Sequence, residues 1–224
     1  MMIKSHPHEQ LLVQYATGEL NPAMLVMIGT HVDMCPQCQQ HVADIEEQIA
    51  LKVLGERVTD AALPNTVVDS MLESIMNSPA PIQVRAEQSR DYISLEGKRF
   101  ALPATLARNE HRIGQWHHMV SKLWRAPVDI GNGEMLNLIY MADGAQVPEH
   151  THKGREATLV INGVFNDEFN EYRDGDFILL DEHHKHTPQT QGEDCLTLAT
   201  LDAPMHFTAG ISRLLNPFSS LFFR

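Results

Sequence analysis

Between Gly144 and Gly163 the chain reads G-A-Q-V-P-E-H-T-H-K-G-R-E-A-T-L-V-I-N-G. His150 and His152 stand two apart, so an extended strand turns both imidazoles to one face. Glu156 follows a Lys153-Gly154-Arg155 insert compatible with a turn, after which Ala157, Leu159 and Ile161 mark an apolar returning strand. Two imidazoles and a carboxylate on one strand-turn-strand suit zinc, iron, manganese or copper. A bare His-x-His more often marks a polar strand face. The bracketing glycines and the apolar strand after the carboxylate make this string more specific. A fourth ligand is sought in a second segment, where Gly175 and Asp176 precede the apolar run Phe177 to Leu180 and then Asp181-Glu182-His183-His184-Lys185-His186. Three histidines compete there, and a solvated His-rich loop without a ligand is the plain alternative.

A second constellation lies near the start: His31-Val32-Asp33-Met34-Cys35-Pro36-Gln37-Cys38. Asn21-Pro22 followed by Ala23, Met24, Leu25, Met27 and Ile28 reads as a helix with proline in its first turn. His31 falls near its end. Cys35 precedes a proline, which drives it out of the helical region, and Pro36 opens a further helix through Val42, Ile45, Ile49 and Val53. One imidazole and two thiolates can therefore converge at a helix-turn-helix, as in structural zinc sites. His6, His8 or His41 would complete the set. Two readings compete: a redox dithiol, which calls for a βαβ context absent from these helical flanks, and a pair of ordinary reduced cysteines.

These clusters need elements to hold them. Residues 1–80 read as four helices, the first carrying Leu11, Leu12 and Tyr15, the last starting near Pro64-Asn65-Thr66 and running to about Ser78. Met24, Met27, Met34, Met71 and Met76 fall here; such thioethers pack cores or adapt to partners, and the fourth helix is expected to face a partner. Ser78-Pro79-Ala80-Pro81 breaks the helical pattern. From about Tyr92 short strands take over, with runs at 122–128, 135–141, 156–162, 177–180 and 195–201, and turn signals at Gly131-Asn132-Gly133, Asn162-Gly163 and Asp174-Gly175. That pattern predicts a β-sandwich or small barrel. The expected fold class is α+β in two domains: a four-helix zinc domain over 1–85, a linker over 86–105 and a metal-binding β-domain over 106–224. Cys195 falls on the expected strand at 195–201, either as an oxidisable sensor thiol or as an inert buried one. Phe218, Leu221, Phe222 and Phe223 near the end can seal a barrel edge or meet the first domain.

The formal net charge over 224 residues is −12, which argues against direct nucleic-acid binding. Ten acids against three bases in residues 1–80 form an acidic helical segment, suited to a basic protein partner or simply to water. No apolar run is long enough for a membrane helix, no signal peptide is evident, and three cysteines make no disulfide framework. A cytoplasmic location is expected.

The string from Gly144 to Gly163 matches the first motif of the cupin family at every defined position. The second motif departs at two: Asp181 stands at its proline, His183 at its glycine and His186 at its ligand. The His-x3-Cys-x2-Cys trio between two helices resembles the zinc-containing anti-sigma domain. The combination, with Asp202-Ala203-Pro204 and the run Arg213 to Phe218, resembles ChrR-type anti-sigma factors over nearly the whole chain. That resemblance implies zinc on His6, His31, Cys35 and Cys38. It also implies a second metal, zinc or else iron, manganese or nickel, on His150, His152, Glu156 and His186. It further implies an extracytoplasmic-function (ECF) sigma factor as partner, and a signal of reactive oxygen (singlet oxygen or organic hydroperoxides) or a small molecule sensed through the cupin. The rival reading is a metal-dependent cupin oxygenase or isomerase.

Overall fold

A computed structural model describes residues 2–55, 65–79, 91–119, 121–131, 133–134, 136–152, 154–202 and 205–208, without the side chains of His152 and Met205. Lys153, Pro64, Ala80, Pro81, Asn132, Met135, Ala203, Pro204, the run Arg213 to Phe218 and the closing Leu221, Phe222 and Phe223 lie outside the described residues. The architecture is α+β: N-terminal helices precede a β-sheet-rich, cupin-like part.

The helices are α1 (Glu9–Thr17), α2 (Pro22–Met34), α3 (Pro36–Leu54) and α4 (Asn65–Met76), with a short α5 (Ala104–Arg108) inserted later. Each boundary has a local cause. Gly18 ends α1 in the left-handed region at φ 72°, and the Glu19 amide reaches back to the Gln14 carbonyl. Asn21 starts α2 by accepting from the Met24 amide at 2.8 Å, with Pro22 in the first turn. Cys35 ends α2 in an extended conformation (φ −115°, ψ 100°), as expected of a residue before proline, and α3 begins at once.

The strands are β1 (Tyr92–Leu95), β2 (Lys98–Ala101), β3 (His117–His118), β4 (Leu123–Val128), β5 (Leu136–Met141), β6 (His150–His152), β7 (Glu156–Asn166), β8 (Glu171–Arg173), β9 (Phe177–Leu180), β10 (Lys185–His186), β11 (Cys195–Leu201) and β12 (Met205–Phe207). The main sheet runs β3-β4-β5-β11-β7-β8, with β9 also pairing β7; a small sheet runs β10-β6-β12, and β1-β2 form a hairpin. All seven residues of β11 are buried, which is why that strand reads as a continuous apolar run. Leu136, Leu138, Leu159, Leu196 and Leu198 anchor the core at 1% exposure or less, each contributing roughly 1.5–3 kcal/mol through burial.

Asn162-Gly163, expected as a turn, lies inside β7 instead. The register against β11 slips between Leu196 and Thr197, so this is a bulge within one long strand. Gly163 adopts φ 90°, and a β-carbon there would stand 1.9 Å from the Asp194 carbonyl oxygen. Glycine is required by close approach, a need that resembles a turn signal in sequence.

By contacts the chain forms two compact units: Met1–Ala43 with Ser89–Arg224, and Asp44–Gln88. Within the first, α2 is bound to the β-domain at both ends. The Ala23 amide donates to Glu134 Oε2 at 2.8 Å, and Asp33 accepts from the Thr105 amide at the start of α5. Within the second, α4 leaves its apolar residues exposed, from Val67 at 40% to Met76 at 75%.

Candidate metal centres

The α2–α3 corner brings four soft and borderline donors together. His31 comes from the last turn of α2, Cys35 from the corner, Cys38 from the first turn of α3, and His6 from the extended segment before α1. His31 Nε2 lies 3.2 Å from Cys38 Sγ, and His6 Nδ1 lies 3.4 Å from both Cys35 Sγ and Cys38 Sγ. All four donor atoms fall within 4.8 Å of one another. A tetrahedral ion with bonds of about 2.1 Å to nitrogen and 2.3 Å to sulfur gives nitrogen–sulfur edges of about 3.5 Å, close to those seen. His8 and His41 are exposed and stand outside the cluster.

The chemistry of this set calls for a cation. Burial, with the neighbouring Cys35, pushes the Cys38 thiol up to about 12, so its thiolate form is stable here only with a cation beside it. Burial lowers His31 to about 4, against the opposing pull of its hydrogen bond to the Gly175 carbonyl. That bond, His31 Nδ1 to Gly175 O at 2.8 Å, commits the δ-proton and leaves Nε2 with its lone pair toward the thiols. The Phe177 ring closes the site edge-on to His31, with centroids 6.3 Å apart.

The second cluster lies between the two sheets of the β-domain. His150 and His186 are direct cross-strand partners on β6 and β10, and Glu156 begins β7 on the facing sheet. The two imidazole Nε2 atoms stand 3.0 Å apart, with Glu156 Oε2 3.9 Å from the first and 3.7 Å from the second. Each ring is turned by its other nitrogen: His150 Nδ1 donates to the Pro148 carbonyl at 2.8 Å, and His186 Nδ1 faces Asp167 Oδ2 at 3.5 Å. Burial alone would strip His186 of its proton, yet the Asp167 and Glu156 carboxylates outweigh it and lift the pKa to about 9. The surroundings favour a cation at this point, and a divalent ion answers that demand as well as a proton does. A cavity of about 60 Å³ adjoins the three donors, walled by Ile139, Met141, Phe165, Ile178 and Leu180 among others.

His152 also lies on β6, opposite Met205, and its side chain is outside what is described. His183 is exposed; His184 is held by Asp181 Oδ1 at 2.8 Å, away from the cluster. Asp181 also accepts from the His183 amide at 3.0 Å. Its carboxylate thus organises the turn at the position where the cupin pattern has proline. Cys195 is buried at 1% exposure on β11, and burial pushes its thiol well above the ordinary range. Sequence reasoning missed Asp167, which sits between two strands in a polar Asn-Asp-Glu run and looks like any loop acid. It also missed Asp176, whose only mark is a charge at the head of a buried strand.

The chain has counterparts among known proteins. Residues 110–205 match the family of ChrR cupin-like domains. The whole chain is similar to the anti-sigma-E factor ChrR of Cereibacter sphaeroides, 28% identical over 225 aligned residues, covering 97% of this chain and 99% of that one. It also superposes on a chain of the crystal structure of Rhodobacter sphaeroides SigE in complex with the anti-sigma ChrR. There the TM-score is 0.66, with 25% identity over 90% of this chain and 100% of the other. The likeness to ChrR therefore extends beyond the cupin-like domain into the helices that carry the thiols.

Proposed function

We propose that this chain is an anti-sigma factor that captures an ECF sigma factor through its N-terminal helices. One observation carries the reading: similarity to ChrR over nearly the full length of both chains, with a shared fold at TM-score 0.66. The α4 face supports it. Val67, Val68, Met71, Leu72, Ile75 and Met76 are all exposed on one twelve-residue helix, an apolar surface that a soluble chain covers with a partner. The acidic balance of residues 1–80 suits the basic surface of a DNA-binding protein. Inhibition is steric: a sigma factor wrapped on these helices cannot dock on RNA polymerase.

His6, His31, Cys35 and Cys38 would hold zinc, for which two imidazoles and two thiolates in a closed tetrahedral set are the usual structural ligands. Bound there, zinc supplies a cross-link between the N-terminal segment, α2 and α3. His150, Glu156 and His186, with His152 from the same strand, would hold a second ion, zinc or else iron, manganese or nickel. The cavity beside them offers room for a signal of only a few heavy atoms. In this reading the β-domain senses an oxidant such as singlet oxygen or a hydroperoxide, in the cytoplasm, and sigma is released. Among the described residues no helix is long and apolar enough to cross a membrane. A cupin oxygenase or isomerase would use the second site equally well, but it would leave the helical site and the exposed α4 face without a purpose. The chain is accordingly read as a regulator rather than an enzyme.

The test is co-expression with ECF sigma factors of the same organism, beginning with one encoded beside this chain if there is one. A stable complex with one metal equivalent at each site is expected. A chain that carries its metals yet captures no ECF sigma factor would overturn the assignment.

A further inference from the structure

Three consecutive residues of the β-domain position two of the four donors in the helical site. Gly175 supplies the carbonyl that fixes the tautomer and rotation of His31. Asp176 is 2% exposed, and its carboxylate is fully engaged: Oδ1 accepts from the Lys4 amide at 2.7 Å and the Ser5 amide at 2.8 Å, and Oδ2 from the Arg173 amide at 2.9 Å. The Phe177 amide donates to the Ser5 carbonyl at 2.9 Å. The segment immediately before His6 is thus pinned to a β-turn at three points. The turn is rigid in its own right, since the Gly175 amide and Asp176 carbonyl pair with Val160 at 2.8 and 3.0 Å.

The same turn feeds the other site. It opens β9, whose far end, Leu180, lies opposite Glu156 on β7, while Phe177 lies opposite Leu159. Three residues of paired strand, about 10 Å, separate the carboxylate donor of one cluster from the clasp on the other. Ile178 and Leu180 on that strand also wall the cavity beside His150 and His186.

We infer that Asp176 is a positioning residue through which the cupin-like site governs how tightly the helical site keeps its ion. The Gly175–Phe177 turn thereby serves as the physical link between the two centres. This rests on the reading that both clusters hold metal. Asp176 touches no metal itself; it acts by holding the backbone that presents His6. A shift of β9 when the second site changes occupancy or ligand would loosen that hold, because a strand moves as a unit within its ladder.

The experiment uses the full chain with both sites loaded, and follows release of the thiolate-bound ion to a chromogenic chelator alongside the visible spectrum of the cobalt-substituted protein. Asp176→Asn keeps the shape but turns an amide donor toward at least one backbone N–H. It should speed release about ten-fold and shift the cobalt–thiolate bands, with the cupin metal retained. Ser5→Pro removes one of the amides that Asp176 holds, from the opposite side of the clasp and without altering the β-domain. It should reproduce both changes, and it keeps the test alive if Asp176→Asn folds poorly. Emptying the second site by His150→Ala should speed release in the parent and add nothing on top of Asp176→Asn. Release rates and cobalt spectra unchanged in both clasp variants, or fully additive effects of His150→Ala, would overturn the inference. A parent chain with no thiolate-bound ion would instead sink the metal reading beneath it.

Discussion

At the residue scale, the helical centre concentrates its dependence on two thiols. Cys35→Ala or Cys38→Ala leaves one buried sulfur donor with the buried His31 and half-buried His6 imidazoles, one ligand short of the tetrahedral set. Each is expected to lose the helical-site metal and sigma capture together, read as metal per chain and pull-down yield; a zinc-free double mutant that still captures sigma would refute this. At the second centre, Asp167 orients His186 through a 3.5 Å contact. Asp167→Asn should weaken metal binding there by about ten-fold, measured by competition with a chelator of known affinity. The side chains gathered into the two clusters were legible in the sequence because metal chemistry restricts both residue type and spacing: the first histidine of His-x-His, a carboxylate past a turn, and His-x3-Cys-x2-Cys. The orienting groups were not. A backbone carbonyl such as that of Gly175 has no residue signature, and Asp167 and Asp176 derive their roles from partners 19 and about 170 positions away.

At the scale of elements, α4 was readable as an amphipathic helix, and the prediction it invites concerns its exposed stripe. Met71→Glu with Met76→Glu should weaken sigma binding at least ten-fold in a chain whose circular dichroism is unchanged, since charge on an apolar contact face costs more than about 1.4 kcal/mol. The β1–β2 hairpin offers a different test. Lys98 pairs with Asp194, which also accepts from the Tyr140 hydroxyl at 2.6 Å. Burial pushes the Asp194 carboxyl upward, but Lys98 and Tyr140 outweigh it and hold it below the ordinary carboxylate range. A depressed folded pKa means stability that is present above the unfolded value near 4 and lost as pH falls below it. Asp194→Asn should therefore flatten the acid limb of the urea midpoint plotted against pH. Strands β4, β5, β9 and β11 were legible as apolar runs. Strand β6 was legible from its His-x-His spacing, whereas β10 and β12, two and three residues long, carry no periodicity of their own and are held by cross-strand pairing with β6, His186 and Phe207 each opposite His150.

At the scale of the molecule, the helical site and the β-domain belong to one compact unit, in which Met1–Ala43 groups with Ser89–Arg224. His150→Ala or His186→Ala should lower metal content by one equivalent while sigma capture persists, and release on oxidant challenge should disappear. A variant that still releases sigma would place the sensor elsewhere. The α+β order of the chain was visible from the switch between helical and alternating patterns. The docking of the first helices onto the β-domain was not, because it runs through contacts far apart in sequence, polar ones such as Ala23 with Glu134 and close packing such as Gly29 against Thr105.

Among those contacts, Glu134 on the β-domain accepts a first-turn amide of α2, and Asp33 on α2 accepts a first-turn amide of α5. Each portion lends an acid to the other's helix, like two people signing as witness on one another's papers. Transplanting the first 43 residues onto a foreign barrel would bring one signature and forfeit its counterpart. Such a chimera should melt earlier than either parent until both acids are restored, so modules of this kind can be exchanged between relatives only as matched pairs.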